Sequence, residues 1–256
     1  MQSENKQPFL SHLEELRKRL IKCAIAVGIG FSVSYFFSER LFVLLISPLN
    51  EVMPEGDQLI FTNLPEMFIT YIKVALISGT MLSAPVIFYE LWMFIAPGLY
   101  RKEKAFVIPF VLISSILFAG GALFGFYVVF PFGFKFFIGF SNEYVKALPS
   151  VKQYFSFSIK LLFAFGLIFE LPVVIYFLTK MGLITADFLR RKRKYSILLI
   201  FIAASILTPP DVITQLMMAG PLIVLYEIGI LVSKFAGRKK AESNKDITTD
   251  GPEAAG

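Results

Sequence analysis

Histidine, cysteine and tryptophan occur once each in these 256 residues. That scarcity excludes much enzyme chemistry before any motif is sought. A HExxH metal site needs two histidines and a CxxC pair needs two cysteines, so neither can be built. A Ser–His dyad would have to rest on His12, in a polar N-terminal segment, and no GxxxxGK[ST] phosphate loop occurs. No catalytic residue, metal ligand or cofactor is expected. With Cys23 alone, no intrachain disulfide is possible, and Cys23 reads as a small apolar packing residue. Charge is also sparse: 17% of residues are Asp, Glu, Lys or Arg, against about 25% in a typical soluble domain.

Apolar residues are abundant instead, at 56% hydrophobic and 16% aromatic. They fall into six stretches, 21–37, 64–95, 106–132, 154–178, 195–207 and 212–232. A bilayer core about 30 Å thick needs roughly 20 apolar helical residues. The pattern therefore predicts an all-α polytopic membrane protein. Residues 1–235 form one six-helix transmembrane domain in this reading, and 236–256 have the composition of a disordered tail. The fifth stretch, Tyr195–Leu207, spans only about 20 Å as a helix. With the turn Thr208-Pro209-Pro210-Asp211 it predicts either a buried hairpin or a local thinning of the bilayer.

The net charge of +6 is not spread as a nucleic-acid groove would require. Most Lys and Arg lie before the first stretch, after the second and fourth, and in the C-terminal tail. Positive loops stay in the cytoplasm, so both termini are expected there, which agrees with an even number of spans. The first stretch reads as an uncleaved helix: acids accompany the bases before it, and Phe36-Phe37-Ser38-Glu39-Arg40 is no small-residue cleavage site. Ahead of it, Ser11-His12-Leu13-Glu14 suggests a capping box that opens an interfacial helix. Residues 38–63 form the longest outer connection, where Leu41, Phe42 and Leu44 suggest short helices folded over that face.

Ionisable residues inside spans are costly and each calls for a reason. Glu170 lies deep in the fourth stretch. Pro172 follows two residues on and predicts a kink beside the carboxylate. Glu170 is either a hydrogen-bonded structural acid or a proton or substrate contact. Glu90 and Glu227 sit nearer span ends and are expected to snorkel, as are Lys73 and Lys160. Thr214 and Gln215 can hydrogen-bond a neighbouring helix, of this chain or of a partner. Glu15 and Glu103 stand among basic neighbours. They read as charge balance, with Glu15 and Arg19 an i,i+4 pair, or as an acidic seat for a cationic ligand.

Five segments occur together in order: His12-Leu13-Glu14-Glu15-Leu16-Arg17-Lys18-Arg19-Leu20, Ser83-Ala84-Pro85-Val86, Phe94-Ile95-Ala96-Pro97-Gly98-Leu99-Tyr100, Phe169-Glu170-Leu171-Pro172 and Leu207-Thr208-Pro209-Pro210-Asp211. With these the chain resembles the TatC family, the largest subunit of the bacterial twin-arginine protein translocase, over about residues 7–235. The resemblance implies six helices in a curved, glove-like bundle in the bacterial inner membrane. It implies a receptor for twin-arginine signal peptides of folded precursors, recruiting single-span TatA and TatB partners for export driven by the proton-motive force. Glu15 and Glu103 would hold the two arginines, and Arg17, Leu20 and Phe94 would shape that site. Pro48 in the outer loop and Glu170 match positions of functional weight in the family. Thr208 and Gln215 would lie where partner helices dock, with Ser205 where some relatives carry a larger apolar residue. A secondary transporter using Glu170 is the alternative from another class, although no inverted repeat is visible.

Overall fold

Five helical segments among the described residues are long and apolar enough to cross a membrane: Ser11–Phe36, Glu66–Ile95, Val107–Ile138, Val151–Met181 and Val212–Gly237. The structure is a computed structural model. It describes residues 6–54, 57–95, 107–142, 144, 147–208 and 211–249, the side chains of 6–10 and 238–249 excepted. The helices are α1 (Lys6–Phe36), α2 (Ser38–Asn50), α3 (Glu66–Ile95), α4 (Val107–Phe124), α5 (Phe130–Ile138), α6 (Val151–Phe169), α7 (Leu171–Met181), α8 (Ala186–Leu207) and α9 (Val212–Thr249). A π-helical turn, Gly125–Val129, joins α4 to α5. No strand is present among the described residues, only an isolated bridge between Ile60 and Ser150. The all-α membrane class follows. The chain divides into two units, 1–167 and 168–256.

In the first unit α1 and α3 run antiparallel along a seam whose contacts follow in order: His12 with Phe94, Arg19 with Glu90, Ala26 with Ser83 and Gly30 with Gly79. At the last crossing the backbones touch. A Cβ on Gly30 would lie 2.4 Å from the Gly79 carbonyl oxygen, and one on Gly79 would lie 2.4 Å from the Phe31 nitrogen. Without a hydrophobic drive between helices in lipid, such small-residue contacts let dispersion and polar bonds hold the pair. Ser83 adds one: its hydroxyl donates to the Ala26 carbonyl at 2.7 Å or to Gly79 of its own helix at 2.8 Å.

The expected helix over the outer connection is α2. Its Phe42 stacks on Phe155 of α6 with ring centroids 4.6 Å apart, and the Tyr154 hydroxyl donates to the Leu45 carbonyl at 2.6 Å. The π-helical turn has a local cause. Pro131 has no N–H for the Tyr127 carbonyl, and the ladder widens just before it, with Phe130 N–H donating to Gly125. Phe130, Phe155 and Phe165 are the largest fully buried side chains of this unit.

In the second unit Gly182 closes α7 at φ 83°, the left-handed cap that favours glycine. The α8 helix starts at Thr185, whose side chain accepts from Phe188 N–H. It is therefore 22 residues long, but Arg190–Lys194 occupies its first half and only the stretch from Tyr195 is apolar. Against α9, the Tyr226 hydroxyl donates to the Leu189 carbonyl at 2.9 Å. Between α7 and α9 the Thr179 and Ser233 hydroxyls meet at 2.8 Å, both buried.

One local expectation is corrected. Helix α1 begins by Lys6, so Ser11 and Glu14 lie inside it rather than at a cap. Glu14 pairs instead with Lys18 at 2.9 Å, one turn on. The polar N-terminal helix and the first span are one continuous element, about 46 Å long at 1.5 Å per residue.

Candidate functional site

Charge converges at the polar end of the α1–α3 seam. The helical period places Glu15, Arg19 and Lys22 on the α1 face that meets α3, and Glu90 comes from α3 one turn before Phe94. Arg19 is the centre. Its Nε donates to Glu15 Oε1 at 3.1 Å and its Nη2 reaches the same oxygen, while Nη1 donates to Glu90 Oε2 at 2.9 Å. Lys22 Nζ lies 3.3 Å from Glu90 Oε1. Glu90 is 5% exposed, so its charge is held by two cations rather than by water. Glu15 is half-buried, at the open side of the cluster.

Around this cluster the expected site residues take different positions. Arg17 and Leu20 are exposed, Leu20 at 59%. Phe94 stacks on His12 with centroids 4.4 Å apart and planes 18° apart. Glu15, Leu20 and Phe94 thus belong to neighbouring turns of one helix pair. Glu103 lies outside the described residues. Glu90 was missed as a member of the cluster: instead of snorkelling, it is buried and ion-paired across the seam. Only the four-residue spacing of Glu15 and Arg19 hinted at this group.

Pro48 is buried in α2, where it cannot donate to the Leu44 carbonyl; the Ser47 hydroxyl takes that acceptor at 2.8 Å. Glu170 is buried where helical pairing breaks between α6 and α7, with Pro172 in the first turn of α7. The kink expected from Pro172 is therefore a break at the acid itself. Thr208 is buried and donates to Ala204 at 2.9 Å, and Gln215 Nε2 donates to the Phe201 carbonyl at 3.1 Å, within this chain. Ser205 is exposed. Asp211 caps α9, accepting from Thr214 N–H at 2.7 Å and from its hydroxyl.

A second buried acid was not anticipated. Glu66, 4% exposed at the start of α3, accepts from Thr62 N–H (2.9 Å), Thr62 hydroxyl (3.2 Å) and Asn63 N–H (3.3 Å) through one oxygen. The other oxygen accepts from Ser150 hydroxyl (2.8 Å) and Lys152 N–H (2.7 Å). Glu66 thereby ties the loop before α3 to the start of α6, beside a cavity of ≈ 540 Å³ that Lys73 and Lys152 also line.

No cluster of His, Cys, Asp and Glu able to hold a metal is present among the described residues. Apolar helices joined by small-residue and ionic contacts define the class: a polytopic α-helical membrane protein whose prominent polar feature is a carboxylate–arginine cluster at one end of a helix pair. The family model described as Sec-independent protein translocase protein (TatC) matches residues 11–221, and the chain belongs to that family. It is 52% identical over 253 residues to the TatC of Desulforapulum autotrophicum, covering 96% of this chain and 94% of that one. To the TatC of Escherichia coli K12 it is 40% identical over 245 residues, covering 94% and 95%. A crystal structure of the twin arginine translocase receptor TatC superposes with TM-score 0.79 at 43% identity, covering 88% of this chain and 99% of that one. The relatives are named as protein translocase components, so this is a transport protein of the Tat pathway and not an enzyme. The six-span count agrees with that family.

Proposed function

We propose that this chain is the receptor and core subunit of a twin-arginine translocase in the bacterial inner membrane, with both termini cytoplasmic. It binds the twin-arginine signal peptides of folded precursors through Glu15 and Glu103. Arg17, Leu20 and Phe94 shape the seat. It recruits TatA- and TatB-type single-span partners, and export draws on the proton-motive force. Residues 1–235 act as one membrane domain and the segment from 236 as a cytoplasmic tail.

The observation that carries this reading is the half-buried Glu15 carboxylate already bound to a guanidinium. The chemistry required of the site is therefore supported by an occupant within the chain. A guanidinium offers a planar fork to a carboxylate and an ammonium does not, so Arg-Arg is favoured over Lys-Lys at equal charge. The exposed apolar Leu20 beside it suits the apolar part of a signal peptide. Partner helices dock by the turn between α8 and α9, where exposed Ser205 and Ile206 flank buried Thr208, and Gln215 holds the two helices in register. Pro48 shapes the outer helix, and Glu170 offers a polar contact at depth for an inserted signal.

Binding of a fluorescent Arg-Arg signal peptide and its Lys-Lys twin to the detergent-purified protein tests the receptor reading. The wild type prefers Arg-Arg, and a Glu15→Lys, Glu103→Lys double variant loses the preference. Equal binding of both peptides to both proteins would overturn it.

A further inference from the structure

Glu15, the acid assigned to the ligand's arginine, already holds an arginine of its own helix. Arg19 reaches Glu15 through Nε and Nη2, and its remaining terminal nitrogen, Nη1, donates to buried Glu90 at 2.9 Å. Glu90 also holds Lys22, which is largely exposed, at 3.3 Å. Among the described residues two carboxylates here face two cations. This arrangement has two seats for the Arg19 guanidinium, one accessible and one buried.

We infer that Arg19 is a resident occupant of the Glu15 carboxylate and that Glu90 is its second seat, so that a ligand arginine enters by displacing Arg19 from Glu15 onto Glu90. The inference rests on the signal-peptide reading of Glu15 and adds two positioning residues, Arg19 and Glu90, to it. Displacement leaves no buried charge uncompensated, because Arg19 keeps Glu90 as its counter-ion and Lys22 can turn to water. The exchange also sets a threshold for affinity, which every ligand of Glu15 meets alike. An incoming guanidinium replaces one fork with another and nearly conserves the bonds at Glu15. An incoming ammonium must expel a fork while offering a point charge, and loses. The preference for arginine is set by the fork at Glu15, and the competitor built into the site lowers the affinity of both ligands by the same factor.

The test is peptide binding to the full-length protein in detergent, with Arg-Arg and Lys-Lys peptides, for Arg19→Gln, Glu90→Gln, their double variant and Glu15→Gln. Arg19→Gln removes the competitor: both peptides bind more tightly by the same factor, about fivefold, because each is relieved of the same displacement. Glu90→Gln removes the second seat, fixes Arg19 on Glu15 and weakens Arg-Arg binding by about fivefold. The double variant behaves as Arg19→Gln, because without Arg19 the second seat has no role. Neither single change strands a buried charge, since Glu90 retains Lys22 and Arg19 retains Glu15. Thermal unfolding of each variant verifies that the fold is kept, and Arg19→Lys, which keeps the charge without the fork, gives affinities between those of the wild type and Arg19→Gln. A purely structural role would weaken binding of both peptides in each single variant and make the two losses add in the double variant. That result, or weaker Arg-Arg binding by Arg19→Gln, overturns the inference. If Glu15→Gln abolishes binding while this pattern is absent, the exchange alone falls. If Glu15→Gln binds as the wild type does, the reading of the site falls with it.

Discussion

Helix α3 carries a buried glutamate at each end, Glu66 and Glu90, about 36 Å apart at 1.5 Å per residue. They share residue type, helix and depth of burial, yet their surroundings differ in kind. Glu66 receives five hydrogen bonds, all from uncharged groups, three of them backbone N–H. Glu90 is held by Arg19 and Lys22. Backbone donors cannot leave without unmaking the loop, so Glu66 is a fixed clasp. Side-chain cations can change partners, so Glu90 is suited to exchange. Burial alone does not tell a structural acid from a functional one; the mobility of what surrounds it does.

The largest test of this contrast is at Glu66. Glu66→Ala removes the acceptor of five hydrogen bonds, among them those from the N–H groups of Thr62, Asn63 and Lys152, each worth about 0.5–1.5 kcal/mol. A total loss of about 3 kcal/mol or more is expected, read as a fall in thermal midpoint by circular dichroism in detergent. Glu66→Gln keeps the shape but turns an amide donor toward other donors, and should lose about half as much. Peptide binding by the surviving folded fraction stays at the wild-type affinity. A Glu66 variant that is stable but binds peptide poorly would break the contrast.

Next in size is the seam that carries Glu90 to Arg19. Gly30→Ala or Gly79→Ala inserts a methyl group 2.4 Å from opposing backbone. The helices must part, at about 1–3 kcal/mol for such overpacking. Gly28→Ala, two residues away in α1 with nothing within 4 Å of its Cβ, should be neutral or gain up to about 1 kcal/mol of helix propensity. Thermal midpoints of the three variants separate close approach from a general glycine effect. Equal effects at Gly28 and Gly30 would remove the crossing as the element that aligns Arg19 with Glu90.

Much of this was legible in the sequence, and the exceptions share a cause. Apolar length and composition gave the all-helical membrane class, because spans are local and the bilayer sets their size. The Glu15–Arg19 pair was legible because i,i+4 neighbours meet on any helix. The Pro172 break beside Glu170 was legible because proline acts on its own turn. Glu90 was misjudged because Arg19 lies 71 residues away in the chain, and the distant half of the Glu66 clasp, Ser150 and Lys152, lies 84 and 86 residues away. No local pattern reports them. Ser11 failed as a cap because a capping box is recognised by what precedes the helix, and here helix precedes it. Gln215 was expected to bond a neighbouring helix of this chain or of a partner, and it bonds the Phe201 carbonyl of α8, while Thr208, placed by resemblance where partner helices dock, bonds Ala204.

The smallest effect isolates burial from charge. Arg193 and Glu227 pair at 2.7 Å between α8 and α9, as close as any pair around Glu90, but their side chains are 48% and 41% exposed. Water already solvates both charges, and holding two long side chains costs rotamer freedom. Such a pair is worth about 0–1 kcal/mol. Glu227→Gln should therefore shift the thermal midpoint by little, and raising salt to about 1 M, where screening acts within about 3 Å, should erase the difference. Glu90→Gln, with the same chemistry lost from a buried site, should cost about 1 kcal/mol and keep most of that cost in high salt. Its nearer partner, Arg19, has a side chain only 16% exposed and is shielded by protein rather than by ions. If the two variants respond alike to salt, Glu90 is as well hydrated as Glu227, and an arginine seat that excludes water has no basis at that end of α3.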